Sequence, residues 1–258
     1  LAVHIKDKTI SLPLHNSPST HIIKPAIDRF PDLVENEVFC MKLAKQCGLP
    51  TAQASAESIE DVDYLLTKRY DRIYKDGQPI ERIHQEDFCQ ALGYPPHIKY
   101  QNEGGPSLAQ CFELIRKAST TPALDILTLL DAITFNFIIG NNDAHGKNFS
   151  FLYSKDGGSY TTRLAPLYDL ISTAHYPDLS PKMAMKIGKK YLPKEVRLEH
   201  WQQLWTQAGF STSQAHRRTT QFAKKILTTL KKLPIENTTQ QAIMSFAEIR
   251  ANMILRLK

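Results

Sequence analysis

The chain has 258 residues, 42% of them hydrophobic and 22% charged. That balance describes a folded globular protein and excludes a disordered or collagen-like one. The 32 Lys and Arg outweigh 26 Asp and Glu for a net charge of +6, and the length suits one large domain or two smaller ones packed together. No run of 18 or more apolar residues appears, so no membrane span and no membrane partner is expected. No secretory signal opens the chain. It starts at Leu1 rather than Met, which leaves room for residues upstream.

In chain order, Ala2-Val3-His4-Ile5, Thr9-Ile10-Ser11-Leu12 and His21-Ile22-Ile23-Lys24 read as strands, the last stopped by Pro25. Glu35 to Cys47 carries apolar residues at three- and four-residue spacing and reads as a helix closed by Gly48. Ala52–Ile59 and Tyr64–Lys68 read as antiparallel strands around Glu60-Asp61. Helices dominate afterwards: Gln85–Leu92, Ser107–Ala118, Pro122–Ile139, Leu198–Ala208, Ser213–Leu230 and Thr238–Leu257. A hairpin of Asn148–Tyr153 with Tyr160–Leu164 is expected around Asp156-Gly157-Gly158. Strands first and helices later predict an α+β protein, with a small β-rich lobe over residues 1–72 and a larger helical lobe over 73–258.

Cys40, Cys47, Cys89 and Cys111 form no C-x-x-C pair and no zinc spacing, and read as buried thiols of a reducing cytoplasm. The charge is uneven. Residues 1–181 carry 17 Lys and Arg against 22 Asp and Glu, whereas residues 182–258 carry 15 against 4. The basic segment is open to nucleic acid or an acidic protein, although lysine-rich solvated helix faces explain it more simply.

The chemistry concentrates in Asn141-Asn142-Asp143-Ala144-His145-Gly146-Lys147-Asn148, with Asp169 following in Leu167-Tyr168-Asp169-Leu170. In protein-kinase-type phosphoryl transfer, an Asp receives the substrate hydroxyl proton while an Asn five residues on and a later Asp hold Mg²⁺ against the nucleotide phosphates. Such an enzyme also needs a strand lysine, a helix acid to orient it, and a polar hinge for adenine. Lys24 ends a strand whose alternation would aim one charge inward. Glu37 on the next helix is the better partner and Glu35 the second. The plainer alternative is an edge-strand lysine and an acid favoured by the helix dipole. Leu65-Leu66-Thr67-Lys68-Arg69-Tyr70-Asp71-Arg72 passes from apolar strand to polar sequence, as a hinge requires.

Other residues carry less. Gly104-Gly105-Pro106 reads as a loop former, since proline spoils a nest of free N–H groups. The acids of Gln85-Glu86-Asp87-Phe88 read as a helix cap. Trp201 and Trp205 share one helix face and read as core, and His21, His84, His97 and His175 show no metal spacing.

Taken together, His21–Lys24, Asn36-Glu37, Lys68–Arg72, Gln85–Asp87, Tyr100–Pro106, Asn142–Asn148 and Tyr168–Ser172 resemble the HipA family of bacterial Ser/Thr kinase toxins. The resemblance runs from about residue 19 to at least residue 172 and is most specific in D-A-H-G-K-N-F-S and Y-D-L-I-S. It implies a two-lobed protein-kinase-like fold using ATP and Mg²⁺. Asp143 would be the catalytic base, and Asn148 and Asp169 the Mg²⁺ ligands. Lys24 would bind phosphates, oriented by Glu37. His145 and Lys147 would lie near the ATP phosphates and the substrate hydroxyl, and Lys68 and Tyr70 would offer backbone groups to adenine. The family often has an acid at the position of Lys68, which favours a backbone role there. It also places a glycine- and serine-containing phosphate loop, with an inhibitory autophosphorylation serine, before the opening strand pair. No G-x-G-x-x-G or P-loop motif occurs in these residues.

The short form implied is the HipT-like one without the N-terminal subdomain, which in tripartite systems is a separate small protein. The implied partners are a protein substrate, an aminoacyl-tRNA synthetase, and a cognate antitoxin through which DNA is met only indirectly. Two other readings stay open: an aminoglycoside-type small-molecule kinase, and a non-catalytic module docking an antitoxin or its DNA complex.

Overall fold

A five-stranded antiparallel sheet opens the protein, in the order β2-β1-β3-β5-β4. Its strands are β1 (Ala2–Lys6), β2 (Thr9–Ser11), β3 (His21–Pro25), β4 (Gln53–Ile59) and β5 (Val62–Lys68). The computed structural model describes residues 1–7, 9–156 and 158–257. The β4–β5 hairpin turns through Glu60 and Asp61, both at positive φ (45° and 63°), the geometry that matches strand twist in a two-residue turn. Registers of Lys24 with Leu65 and of His21 with Lys68 lay β3 beside the strand that leaves the sheet as the hinge.

Helix α1 (Leu33–Gln46) packs across this sheet with Phe39, Cys40, Leu43 and Ala44 buried. It ends where Gly48 takes φ +83°, a left-handed closure that costs glycine nothing sterically.

Beyond the hinge, β6 (Arg72–Ile73) and β7 (Glu81–Arg82) form a small ribbon. Gln85–Leu92 is mostly not the helix expected: β8 (His84–Asp87) pairs antiparallel with β9 (Ser150–Asp156), and only one helical turn, α2 (Phe88–Ala91), follows. The pairing satisfies the backbone groups of Gln85 and Glu86 in a ladder, so Asp87 is left to cap the short helix by accepting from Gln90 N–H. Strand β10 (Ser159–Leu164) completes that sheet. Gly157 of the expected hairpin turn lies outside the described residues. Asn148 stands before β9, in a single 3₁₀ turn over Gly146–Asn148.

The helical body follows, with α3 (Leu108–Ala118), α4 (Pro122–Ile139), α5 (Leu198–Gln207), α6 (Thr212–Leu230) and α7 (Thr238–Leu255). Among the described residues α4 alone is long and apolar enough to cross a membrane. Two thirds of it is buried as the core spine, with Leu129, Ala132, Phe135 and Ile138 fully enclosed. Trp201 and Trp205 are core, and all four cysteines are free and buried. A small β-rich lobe and a larger, mostly helical one thus meet at the hinge, and Lys24, Asp143 and Asp169 line the cleft between them.

Candidate active site

The catalytic-loop residues are carried on the end of α4. Gly140 stops the helix at φ +74°, and a Cβ there would run into the Phe246 ring and the Ala174 side chain, so only glycine fits the turn. The chain then runs through Asn141, Asn142, His145 and Asn148, all at least nine-tenths buried. Buried polar groups need partners, and most of this loop's backbone N–H groups find them, although the buried His145 Nδ1 meets none among the described residues. Asn142 N–H donates to Thr173 Oγ1 at 2.8 Å, and Asp143 N–H to Asn141 Oδ1 at 3.2 Å. His145 N–H donates to Asn148 Oδ1 at 2.9 Å.

Asp169 is the meeting point. Lys24 Nζ lies 2.5 Å from its Oδ1, Asn148 Nδ2 donates to its Oδ2 at 2.8 Å, and Asn141 Nδ2 to its carbonyl at 3.2 Å. Its backbone sits at φ +76°, a sparsely populated region for a residue other than glycine. Lys24 also reaches Glu37 Oε1 at 2.9 Å from α1. Glu35 makes no ion pair among the described residues. Burial disfavours both charges of the Lys24–Glu37 pair. Lys24 is nonetheless held well above the usual lysine range by Glu37 and then Asp169, while burial lifts the Glu37 carboxyl against the pull of Lys24.

Asp143 stands a step away. Its Oδ1 accepts from the Tyr100 hydroxyl at 2.7 Å, and its Oδ2 lies 3.9 Å from His145 Nε2. Burial pushes the His145 pKa below its ordinary value, with Asp143 pulling the other way, so the ring is neutral near pH 7. Tyr100 lies edge-on to that ring at 5.5 Å. One carboxylate oxygen is thus fixed by a phenol, while the other has no closer polar neighbour among the described residues than the His145 ring.

Two cavities share Lys24 and Glu37. The smaller, about 140 Å³, lies between Ile22 of β3 and the hinge Lys68–Asp71, floored by Tyr168. Tyr70 stacks on Tyr168 at 6.3 Å between centroids, and the backbone N–H and C=O of Tyr70 meet no other backbone group among the described residues. Lys68 turns its ammonium onto the Tyr74 ring, 5.4 Å from the centroid. The larger cavity, about 540 Å³, is lined by Lys24, Asp143 and Asp169 together with residues of 27–33 and 171–184. Lys147 lines neither cavity. Its carbonyl accepts the Tyr168 hydroxyl at 2.8 Å.

Asp169 offers a hard cation a carboxylate that is 39% exposed. Asn148 meets it through its amide Nδ2, and its Oδ1, which accepts from His145 N–H, would have to turn from that bond to join as a second oxygen donor. Among the described residues no three His, Cys, Asp or Glu cluster as a metal site. A cation here would therefore complete its shell with water and phosphate oxygens, as Mg²⁺ does.

Three further residues escaped the sequence reading as contributors. Tyr100 holds Asp143. Asn141 holds the Asp169 carbonyl. Asn36, fully buried on α1, accepts from Ser172 N–H at 2.8 Å and donates to Ser172 O at 3.1 Å and Tyr176 OH at 3.3 Å. In the sequence Asn36 stands beside Glu37 and Asn141 two residues before Asp143, while Tyr100 only opens the Tyr100–Pro106 segment of the resemblance.

Comparison with known proteins gives the family. The family model described as the HipA-like C-terminal domain matches residues 2–230. Y4mE of Sinorhizobium fredii, whose name marks it as a candidate kinase, is 50% identical over 215 residues, covering 83% of this chain and 50% of that protein. The serine/threonine-protein kinase toxin HipA of Shewanella oneidensis is 33% identical over 190 residues, covering 69% of this chain and 42% of the toxin. The chain thus spans about half the length of the curated relatives it matches. The solved complex of S. oneidensis HipA with HipB and operator DNA superposes with a TM-score of 0.84 at 26% identity, over 99% of this chain and 61% of that one. The Helicobacter pylori proinflammatory kinase CtkA reaches a TM-score of 0.64 at 14% identity over 98% and 93%, a likeness of fold alone. By the family match across most of its length, the chain belongs to the HipA-like C-terminal domain family.

Proposed function

We propose that this chain is an ATP-dependent protein Ser/Thr kinase. The observation that carries the reading is the convergence of Lys24, from the small lobe, and Asn148, from the catalytic loop, on Asp169, with Asp143 opening on the same cavity. Phosphoryl transfer asks mainly for positioning and charge neutralisation. Lys24, oriented by Glu37, is suited to the α- and β-phosphates, and the Lys68–Tyr70 backbone to the adenine edge. Asn148 and Asp169 would hold Mg²⁺, whose charge neutralises the β- and γ-phosphate oxygens. Asp143 orients the acceptor hydroxyl and takes its proton as the oxygen attacks the γ-phosphorus and the bond to ADP breaks. His145 lies behind Asp143 as a neutral ring, and Lys147 is placed by sequence, not cavity lining, near the phosphates.

The finer reading is a toxin of a toxin–antitoxin system that phosphorylates an aminoacyl-tRNA synthetase and so inhibits translation. Its support is likeness to a relative named a kinase toxin and to a HipA solved with HipB and operator DNA. An antitoxin would be the direct partner, with DNA met through it.

Replacing Asp143 by Asn should cut phosphate transfer by at least about a hundredfold and relieve growth arrest on induction. Phosphoproteomics of the induced wild type beside the variant identifies the acceptor. Growth inhibition undiminished in Asp143→Asn would sink the reading.

A further inference from the structure

One end of the larger cavity is the Lys24 and Asp169 end assigned above to phosphate and Mg²⁺, and the rest of its lining is rich in hydrocarbon. Ile27 and Phe30 approach from the segment before α1, and Leu179 and Met183 from the segment after Asp169. Its charges are largely spoken for, because Glu37 and Asp169 already hold Lys24. Asp143 accepts from Tyr100, and Glu103 and Lys182 carry opposite signs on the lining. The four carboxylates of the lining outnumber its two lysines, but a polycationic sugar would leave Ile27, Phe30, Leu179 and Met183 without a partner. Adenine has its own slot on the hinge side of Lys24. An extended polypeptide fits best: with about 3.3–3.6 Å per residue, a side chain next to a hydroxyl held at Asp143 falls within the same cavity.

We infer that this cavity is an acceptor-side subsite that takes a bulky apolar side chain, within about two residues of the Ser or Thr that receives the phosphate. The inference rests on the kinase reading and names the chemistry that would select the acceptor. Ile27 is about half exposed, and this exposed apolar edge at the mouth of the site would be covered by the bound segment. Discrimination by burial of one such side chain in an apolar pocket amounts to about tenfold or more.

The test uses the full chain with Mg·ATP and a peptide series in which the residues flanking a central Ser are varied among Leu, Met, Phe, Ala, Asp and Lys. At one flanking position the apolar residues should raise kcat/KM about tenfold or more over Ala, chiefly through KM. Leu179→Gln and Ile27→Gln, both checked for unchanged thermal unfolding, should bring that ratio towards one. Peptide phosphorylation with no flanking preference, with a charged preference, or with an apolar preference untouched in both variants overturns the subsite and leaves the kinase reading standing. Transfer to a small alcohol but to no peptide overturns both.

Discussion

Asp169 carries three demands at once. It holds a left-handed backbone, a contact to Lys24 and a contact to Asn148. Asparagine and aspartate tolerate that backbone better than other side chains. Asp169→Asn should therefore fold as the wild type does yet lose Mg²⁺-dependent ATP binding. Titrating ATP with and without Mg²⁺ checks this, and a Mg²⁺ effect of wild-type size in the variant would speak against the assignment of Asp169 as ligand. The spacing of Asp143, Asn148 and Asp169 named side chains that fold into one cleft, because their separation is short and their chemistry distinctive. Tyr100 and Asn36 were not legible in the same way. Their work lies in bonds across 43 and 136 residues, and nothing local marks a tyrosine or an asparagine for a partner so distant in the chain.

Helix α1 serves the cleft from both its charged and its neutral residues. Glu37 reaches Lys24, while Asn36 grips both backbone groups of Ser172 and so ties the segment after Asp169 to the helix. In Asn36→Ala the buried N–H and C=O of Ser172 lose their partner, which costs about 1–3 kcal/mol and lowers Tm by roughly 2–4 °C per kcal/mol. If the clamp also positions Asp169, kcat should fall more than the stability loss explains, with Asn36→Asp recovering part of it. A variant with lowered Tm and full kcat assigns Asn36 to folding alone. Long elements were legible for two reasons: burial of one face imposes the helical period on α6, while α4, buried on nearly every side, is too long an apolar stretch for a strand. Gln85–Asp87 was not, since three residues fit a helix start or a strand equally, and only pairing with Ser150–Leu152 decides.

At the scale of the whole molecule, the hinge is fastened by charge. Asp71, buried, is bonded by Arg69 at 2.9 and 2.5 Å and lies 2.9 Å from Arg72, which also donates to the carbonyl of Ser19. Burial alone would raise the Asp71 carboxyl, but Arg69 and Arg72 outweigh it and hold it below its ordinary 3.8. A carboxylate depressed on folding contributes stability that is present above the unfolded value and lost as pH falls through the folded one. The acid limb attributable to Asp71 thus lies below about pH 4. Asp71→Asn should flatten that limb and cost roughly 3 kcal/mol near neutrality, by leaving two arginines short of a partner. Urea unfolding at pH 3 and pH 7 measures both, and an unaltered pH dependence would remove Asp71 from the account. The two-lobed arrangement was readable in outline because strands precede helices along the chain. The contacts that lock the lobes were not, since they join residues as far apart as Asp32 and Thr239. The last helix brings a further consequence. The Phe246 ring fills the space where a side chain on Gly140 would stand, and Arg250 lies over both Phe246 and Phe137 of α4. The family match stops at residue 230, yet the foundation under the catalytic loop continues past it. A truncation drawn at the edge of the family signature would keep every residue assigned a chemical role and remove the buttress against which their turn is built.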